Sequence, residues 1–582
     1  MTHRRGGLAA LTAFLAALVV TGCTTLPTSG SVHTRTGDSS DSVNQAPYFT
    51  PPGPAAGADP SAIVEGFLLA IQANPPSTAV ARSFLVDDAK ATWKPAAGTI
   101  VYDSSTLTAH GTQVQARLAG AHRLDPSGGW RGGSTSSALD LSFHLVQQHG
   151  QWRIANPPAS LPVLASYFRS LYAPYTLYFY DRTGTVLVPT QIYLPRGEQV
   201  ASNLVRGLLD GPGSDLGRIT GRAVRPSGGL VGPVVTNDEA VAEVPFSPEI
   251  QRLSRTDLHR LVMQLAWTLS QVPGITRLRL TADGVPVAIS GGRSDISLVG
   301  HLDYDPVSAP SSDVVAISGG KLVTVASDGS VRPVAGPLGG VGYSMRSVAH
   351  SITEHQYAAV SGNGARLFEA SDYIGGATGT VRTVLSGASN LLRPVYDRFG
   401  DLWVLDATRS GAVVHLISGG HDRVVRVDGI SGRRISSFTV TRDGARLVAG
   451  ASSPQTSVVV SGILRADRGR VVRVLRAETL DTDGLEAGPV LDVGQDSGTT
   501  IAVLTRTPSG TRRILPVQLD GAPGFGRSTP DAIPQQLISL LVTPDPALGP
   551  QAVSADHELL VPNALGQWVR LAGDILTAAY PD

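Results

Sequence analysis

The sequence predicts a multidomain chain in which two small α+β domains precede an all-β propeller of about six blades. Three observations predict it. Up to about residue 310, apolar residues recur at helical spacing in segments that alternate with strand-like runs. From about residue 311 helical periodicity disappears, and short apolar runs alternate with Gly, Ser and Asp turns. Within that second half, four segments resemble one another at steps that suit propeller blades.

The elements follow in order. Arg4 and Arg5 form a basic head before an apolar run from Leu8 to Val20. That run is shorter than the roughly 20 residues a membrane-spanning helix needs, but it suits the h-region of a signal peptide. Val20, Thr21, Gly22 and Cys23 come next, a branched apolar residue and two small ones before a cysteine. This matches a lipobox: the small residues admit the signal peptidase, and the Cys23 thiol is the nucleophile that receives diacylglycerol before the new N-terminus is acylated. The expected organisation is a lipoprotein signal peptide over 1–22 and a Ser/Thr/Pro/Gly-rich flexible tether over 23–57. Arg4-Arg5 lacks the rest of a twin-arginine pattern, which favours the general export route.

An N-terminal α+β domain is expected over 58–165. Its first helix is capped by Asp59 with Pro60 in the first turn, and Ile63, Val64, Phe67, Leu68 and Ile71 share a face. A second helix, capped by Ser77, carries Val80, Phe84 and Leu85 inward and ends before Trp93. Strands are expected over 99–102, 112–118 and 138–147, with 150–154 closing a hairpin. A second α+β domain is expected over 166–310. It has strands at 176–180 and 185–188, a helix over 198–210 stopped by Gly211-Pro212, a hairpin around Asn237-Asp238-Glu239, a helix opened by Ser254-Arg255-Thr256-Asp257, and a returning strand at 275–280. The propeller is expected over 311–582. Anchors at Val348, Val395, Phe438 and Leu491 stand 47, 43 and 53 residues apart. A pair of β-sandwiches is the competing architecture. Radial closure suits this chain better, because it leaves few unpaired strand edges.

Composition narrows the function. The 582 residues carry 47 basic and 47 acidic side chains, so no net positive charge exists for nucleic-acid binding. Length alone suggests about three or four domains. Charged residues are 16% and hydrophobic ones 42%, enough to bury proper cores. Lysine occurs only at 90, 94 and 321, a bias towards arginine that fits a GC-rich genome. One cysteine excludes a disulfide framework and cysteine-based metal sites.

No catalytic motif emerges, and no cofactor or metal is expected. No serine has glycine at both −2 and +2, so a nucleophile elbow is absent. His350 and His355 are the nearest approach to a histidine pair in the second half. Gly319-Gly320-Lys321 is followed by Leu322, where a phosphate loop needs Ser or Thr, and Gly524-Phe525-Gly526 lacks a third glycine. Asp481-Thr482-Asp483-Gly484 lacks the later ligands of a calcium loop, and Asp87-Asp88 reads as a helix end. These features describe a binding or regulatory protein, not an enzyme.

Several segments resemble the actinobacterial LpqB lipoprotein family. They are the lipobox at Cys23, Ala81-Arg82-Ser83-Phe84-Leu85 with Trp93-Lys94-Pro95, and Gly150-Gln151-Trp152-Arg153-Ile154-Ala155-Asn156-Pro157-Pro158. Tyr178-Phe179-Tyr180-Asp181 and the segment Leu204 to Pro212 resemble a GerMN domain, and the strand-rich half resembles the family's propeller. The resemblance implies a lipid-anchored protein on the extracytoplasmic face of the cell membrane, accessory to the MtrAB two-component system. Its partner would be the extracellular sensor domain of an MtrB-like histidine kinase, with effects on cell division and envelope homeostasis. Only Cys23 carries over as a site residue. The rival readings are a cell-wall glycan-binding protein or envelope hydrolase and, more weakly, the substrate-binding lipoprotein of a transporter.

Overall fold

The computed structural model describes residues 48–581 apart from 96, 132–136, 214–215, 222–225, 290–291, 301, 308–312, 341, 352, 354, 372–379, 452–456, 467–468, 481–487, 524–532 and 544–548. Val20, Thr21, Gly22 and Cys23 lie outside the described residues, as do Asp481-Thr482-Asp483-Gly484 and Gly524-Phe525-Gly526.

In the N-terminal domain the first helix spans Pro60–Ala70, and Asp59 Oδ1 accepts the Ala62 N–H at 2.9 Å. Ile63, Val64, Phe67 and Leu68 are buried on its inner face. It packs on a sheet whose strands run in the order 151–154, 137–148, 113–124, 99–102, 161–164. Only the last pair is parallel, because the chain returns to Leu161 after the meander is complete. Phe143 and Leu145 are buried while Ser142 and His144 are exposed, the alternation expected of a half-buried strand. Trp93 is 5% exposed, sits 5.5 Å from the Phe67 ring and donates from Nε1 to the Pro158 carbonyl at 2.7 Å.

The expected second helix is a correction. Two short helices, Ala79–Ser83 and Asp87–Thr92, replace it. Thr78 precedes the first of them, while Ser77 Oγ accepts the Ala79 N–H at 3.2 Å. The break is tertiary in origin. Ile154 donates to the Phe84 carbonyl at 2.9 Å and accepts from Val86 N–H at 3.0 Å, so Phe84–Val86 pairs as strand where a helix would have continued. Ala81, not Val80, faces inward beside Phe84 and Leu85.

The middle domain opens with a long hairpin, Tyr172–Tyr180 against Leu187–Pro195, turned by Asp181 to Gly184. The helix Val200–Asp210 buries Val200, Leu204, Val205 and Leu208 and stops at Gly211, whose φ is 91°. Ser254 caps the helix Arg255–Leu269 by accepting the Asp257 N–H at 3.1 Å. That helix is the crossover between the parallel strands Val241–Phe246 and Arg277–Ala282. Both helices, the hairpin and these two strands share one apolar core centred on Leu204, Phe246, Leu261, Leu265 and Leu280.

Among the described residues the second half folds as six small antiparallel sheets. The first contains Val314–Ser318, Lys321–Val325 and Val331–Pro333, completed on the inside by Thr577–Ala579 from the far C-terminal end. The others run 345–386, 395–425, 435–479, 490–518 and 537–572. Their innermost strands neighbour one another in a closed ring: 577–579, 345–351, 395–396, 435–440, 490–495, 537–541 and back to 577–579. Val348, Val395, Phe438 and Leu491 all fall on these innermost strands.

Packing explains why the blade strands read as continuous apolar runs. Each pair of successive blades encloses its own core, so both faces of a blade are buried. In the strand Arg446–Ala451, Leu447 and Ala449 enter the core shared with the preceding blade, whereas Val448 enters the one shared with the next. Gly319 and Gly320, at φ 54° and 73°, form the tight turn between Val314–Ser318 and Lys321–Val325, and no helix follows to hold a phosphate.

Candidate functional site

The three regions meet at one strand of the middle domain, Leu187–Pro195. On one side the N-terminal domain offers the turn at Asp125. Its Oδ1 accepts Ser127 N–H and Gly129 N–H, each at 2.9 Å, and its Oδ2 pairs with Arg131 at 2.9 Å. Gly128, at φ 88°, presents its carbonyl to Tyr193 N–H at 2.8 Å. A Cβ there would stand 2.5 Å from the Tyr193 carbonyl oxygen, so only glycine permits this approach.

On the other side stands the propeller turn Thr441 to Arg446. Asp443 Oδ1 accepts Ala445 N–H at 2.8 Å, and its Oδ2 holds Arg446 Nη1 at 3.2 Å. The Arg446 Nη2 donates to the Pro189 carbonyl at 2.9 Å, tying the propeller to the middle domain. Burial presses the Arg446 guanidinium below its ordinary pKa, and Asp443 opposes that shift. Arg398 adds a second tie by donating to the Asp305 carbonyl at 3.2 Å. Ile219 packs against Val188, Ala445 and Leu475 in a small apolar seam, and Gly462 makes room for it.

Between these ties lies a cleft of about 730 Å³ with walls from all three regions. Its apolar lining includes Leu177, Ile192 and Leu519, and Trp130 sits at its N-terminal side. Asp520 lines it as well. Its Oδ1 accepts the Ala522 N–H at 3.0 Å, whereas the buried Oδ2 has no hydrogen-bond partner among the described residues. Tyr193, whose hydroxyl receives a hydrogen bond from Gln191, faces that carboxyl. Burial pushes the Asp520 pKa up to about 6. Burial also raises Tyr193 well above its usual value, and the negative charge of Asp520 adds to the rise.

The sign of the Asp520 shift sets a pH dependence. Below about pH 4 the carboxyl is protonated in folded and unfolded chains alike, and the folded state keeps the full benefit. As pH rises towards about 6 the unfolded chain ionises first, so that benefit is lost; the accumulated difference is roughly 3 kcal/mol. Asp520→Asn can retain the Ala522 hydrogen bond without the charge. It is expected to raise stability by roughly 2–3 kcal/mol near pH 7.5 and to change little near pH 4, as read by urea denaturation at both values.

The other sequence candidates do not line this cleft. The His350 ring stacks on Tyr357 at 4.4 Å, while His355 sits in a turn at φ 52°. Asp87 is exposed and paired with Lys90 at 2.9 Å, which lowers its pKa. Among the described residues no group of three or more His, Cys, Asp or Glu side chains could hold a metal ion. Sequence reasoning did not single out Tyr193, Arg446 or Asp520, which stand far apart in the chain. The segment Thr441-Arg442-Asp443-Gly444 has the Gly and Asp composition expected of turns in the second half, but nothing in it signals a partner at Pro189.

Comparison with known proteins adds relatives over most of the chain. Residues 53–169 match the family model described as "Lipoprotein LpqB, N-terminal domain", 176–288 match "Sporulation and spore germination", and 320–579 match "Lipoprotein LpqB beta-propeller domain". The chain is 27% identical to Lipoprotein LpqB of Cutibacterium acnes, covering 90% of each chain. It is 26% identical to Lipoprotein LpqB of Streptomyces coelicolor, covering 95% of this chain and 94% of the relative. Among solved structures, the first GerMN domain of the sporulation protein GerM from Bacillus subtilis aligns at 25% identity and TM-score 0.18, covering 22% of this chain and 94% of that one.

Proposed function

Because the chain belongs to the LpqB lipoprotein family, we propose that it is an extracytoplasmic lipoprotein that binds and modulates the sensor domain of an MtrB-like histidine kinase. Signalling through the two-component system would then influence cell division and envelope homeostasis. The observation that carries the reading is the order of parts, in which two α+β domains and a six-bladed propeller follow the apolar run Leu8 to Val20 and the Val20-Thr21-Gly22-Cys23 segment.

Acyl chains on Cys23 would hold the protein at one membrane surface, beside a kinase whose sensor domain faces the same side. Restriction to a plane raises the effective concentration of the partners, so a modest interface suffices. No helix among the described residues is long and apolar enough to cross a membrane. The balanced charge of the chain favours neutral surface complementarity over a nucleic-acid interface.

Recovery of the protein from detergent-solubilised membranes tests the proposal. The kinase is expected to be enriched with it, and deletion of the lipoprotein is expected to alter phosphorylation of the response regulator. Absence of both effects would contradict the partnership.

A further inference from the structure

The cleft at the three-way junction is lined by charged groups from the middle domain and the propeller. Its volume, about 730 Å³, is of the size that small-molecule sites occupy. Arg218 from the middle domain and Arg476 from the propeller both line it, and both are exposed. Neither makes a hydrogen bond or ion pair among the described residues. Each adjoins in sequence a member of the Ile219–Leu475 seam, so the two cations enter the cleft wall from different regions of the chain. Asp520 lines the same cleft with a buried Oδ2 that has no hydrogen-bond partner among the described residues. An unfilled buried acceptor is costly unless a donor reaches it, and unpaired arginines are suited to a carboxylate. Between these poles the lining is partly apolar, from Leu177, Ile192 and Leu519.

We propose that this cleft binds a small zwitterionic ligand of the short-peptide class, its carboxylate held by Arg218 and Arg476 and its ammonium by Asp520. The apolar lining accepts small side chains between the two charged ends. Because strand, propeller turn and N-terminal turn all contribute walls, an occupant would also brace the three regions against one another. This proposal goes beyond the kinase partnership and stands whether or not that partnership holds.

Trialanine is the probe. The full-length acylated protein in detergent, titrated near pH 7.5 by calorimetry, is expected to bind it saturably at one site. N-acetyl-trialanine amide, which lacks both charges, is expected to bind at least about tenfold more weakly. The double change Arg218→Ala with Arg476→Ala alters only exposed side chains that make no hydrogen bond or ion pair among the described residues, and it is expected to weaken trialanine about tenfold or more. Asp520→Asn is expected to remove the preference for trialanine over N-acetyl-trialanine. Absence of saturable trialanine binding, or binding unchanged by the double arginine variant, would overturn the proposal. Trialanine affinity and selectivity retained in Asp520→Asn would overturn the assignment of the ammonium.

Discussion

Arg465→Ala is expected to destabilise the propeller by about 3–5 kcal/mol, the cost of leaving buried charges without their partner. Arg465 is 4% exposed and reaches back from the third strand of one blade to the first turn of the blade before it. Its guanidinium pairs with Asp397 at 2.5 Å and Asp401 at 3.1 Å, and donates to the Gly469 carbonyl at 2.6 Å. The Phe399 ring covers it at 4.1 Å. Asp397 also accepts from Trp403 Nε1 at 2.7 Å, and Trp403 is fully buried. Burial, followed by the neighbouring Asp397, raises the Asp401 pKa, so the pair tolerates negative charge only while the arginine is present. Urea denaturation near pH 7 measures the loss. Arg465→Lys, with its compact ammonium in place of a planar fork, is expected to recover only part of it.

The second large effect concerns Cys23, which we propose is the acylated residue. Cys23→Ala is expected to abolish incorporation of labelled palmitate and to shift the protein out of the membrane fraction. The apolar run Leu8 to Val20 has too few residues to span the bilayer in place of the lipid. Two acyl chains give stable anchoring where one gives only marginal binding, so loss of the thioether-linked pair removes most of the membrane affinity. Fractionation of wild-type and variant cells, with the mass of the N-terminal peptide, reads both effects. A labelled, membrane-bound variant would contradict the assignment.

Much of the fold was legible because it rests on local chemistry. The helices Pro60–Ala70 and Arg255–Leu269 announced themselves by caps at Asp59 and Ser254, and both caps form as hydrogen bonds. The propeller was legible because each blade repeats an innermost strand, and the four anchors used as markers all lie on such strands. What escaped notice depends on distant partners. The strand Ser104–His110 is exposed along nearly its whole length, so it lacks the apolar alternation that marks a strand. The helix expected through Phe84 is interrupted by pairing with Ile154, which no local preference reveals. The first blade is completed by Thr577–Ala579, which pair with Val315–Ile317 from the opposite end of the propeller.

The cleft was illegible for the same reason. Gly128, Pro189, Arg446 and Asp520 belong to separate elements, and each reads in isolation as an ordinary turn or strand residue. Only the folded chain places the Gly128 carbonyl against Tyr193 and the Arg446 guanidinium against Pro189. Asp520 gives no warning in sequence, because its raised pKa comes from burial in the folded chain.

We propose that this protein works beside a sensor kinase at the membrane surface. Crosslinking the anchored protein in living cells and identifying its nearest membrane neighbour by mass spectrometry tests that claim most directly. A histidine kinase sensor domain is the expected neighbour, lost when Cys23→Ala removes the anchor. Crosslinks found only to wall glycan or to transporter subunits would contradict it.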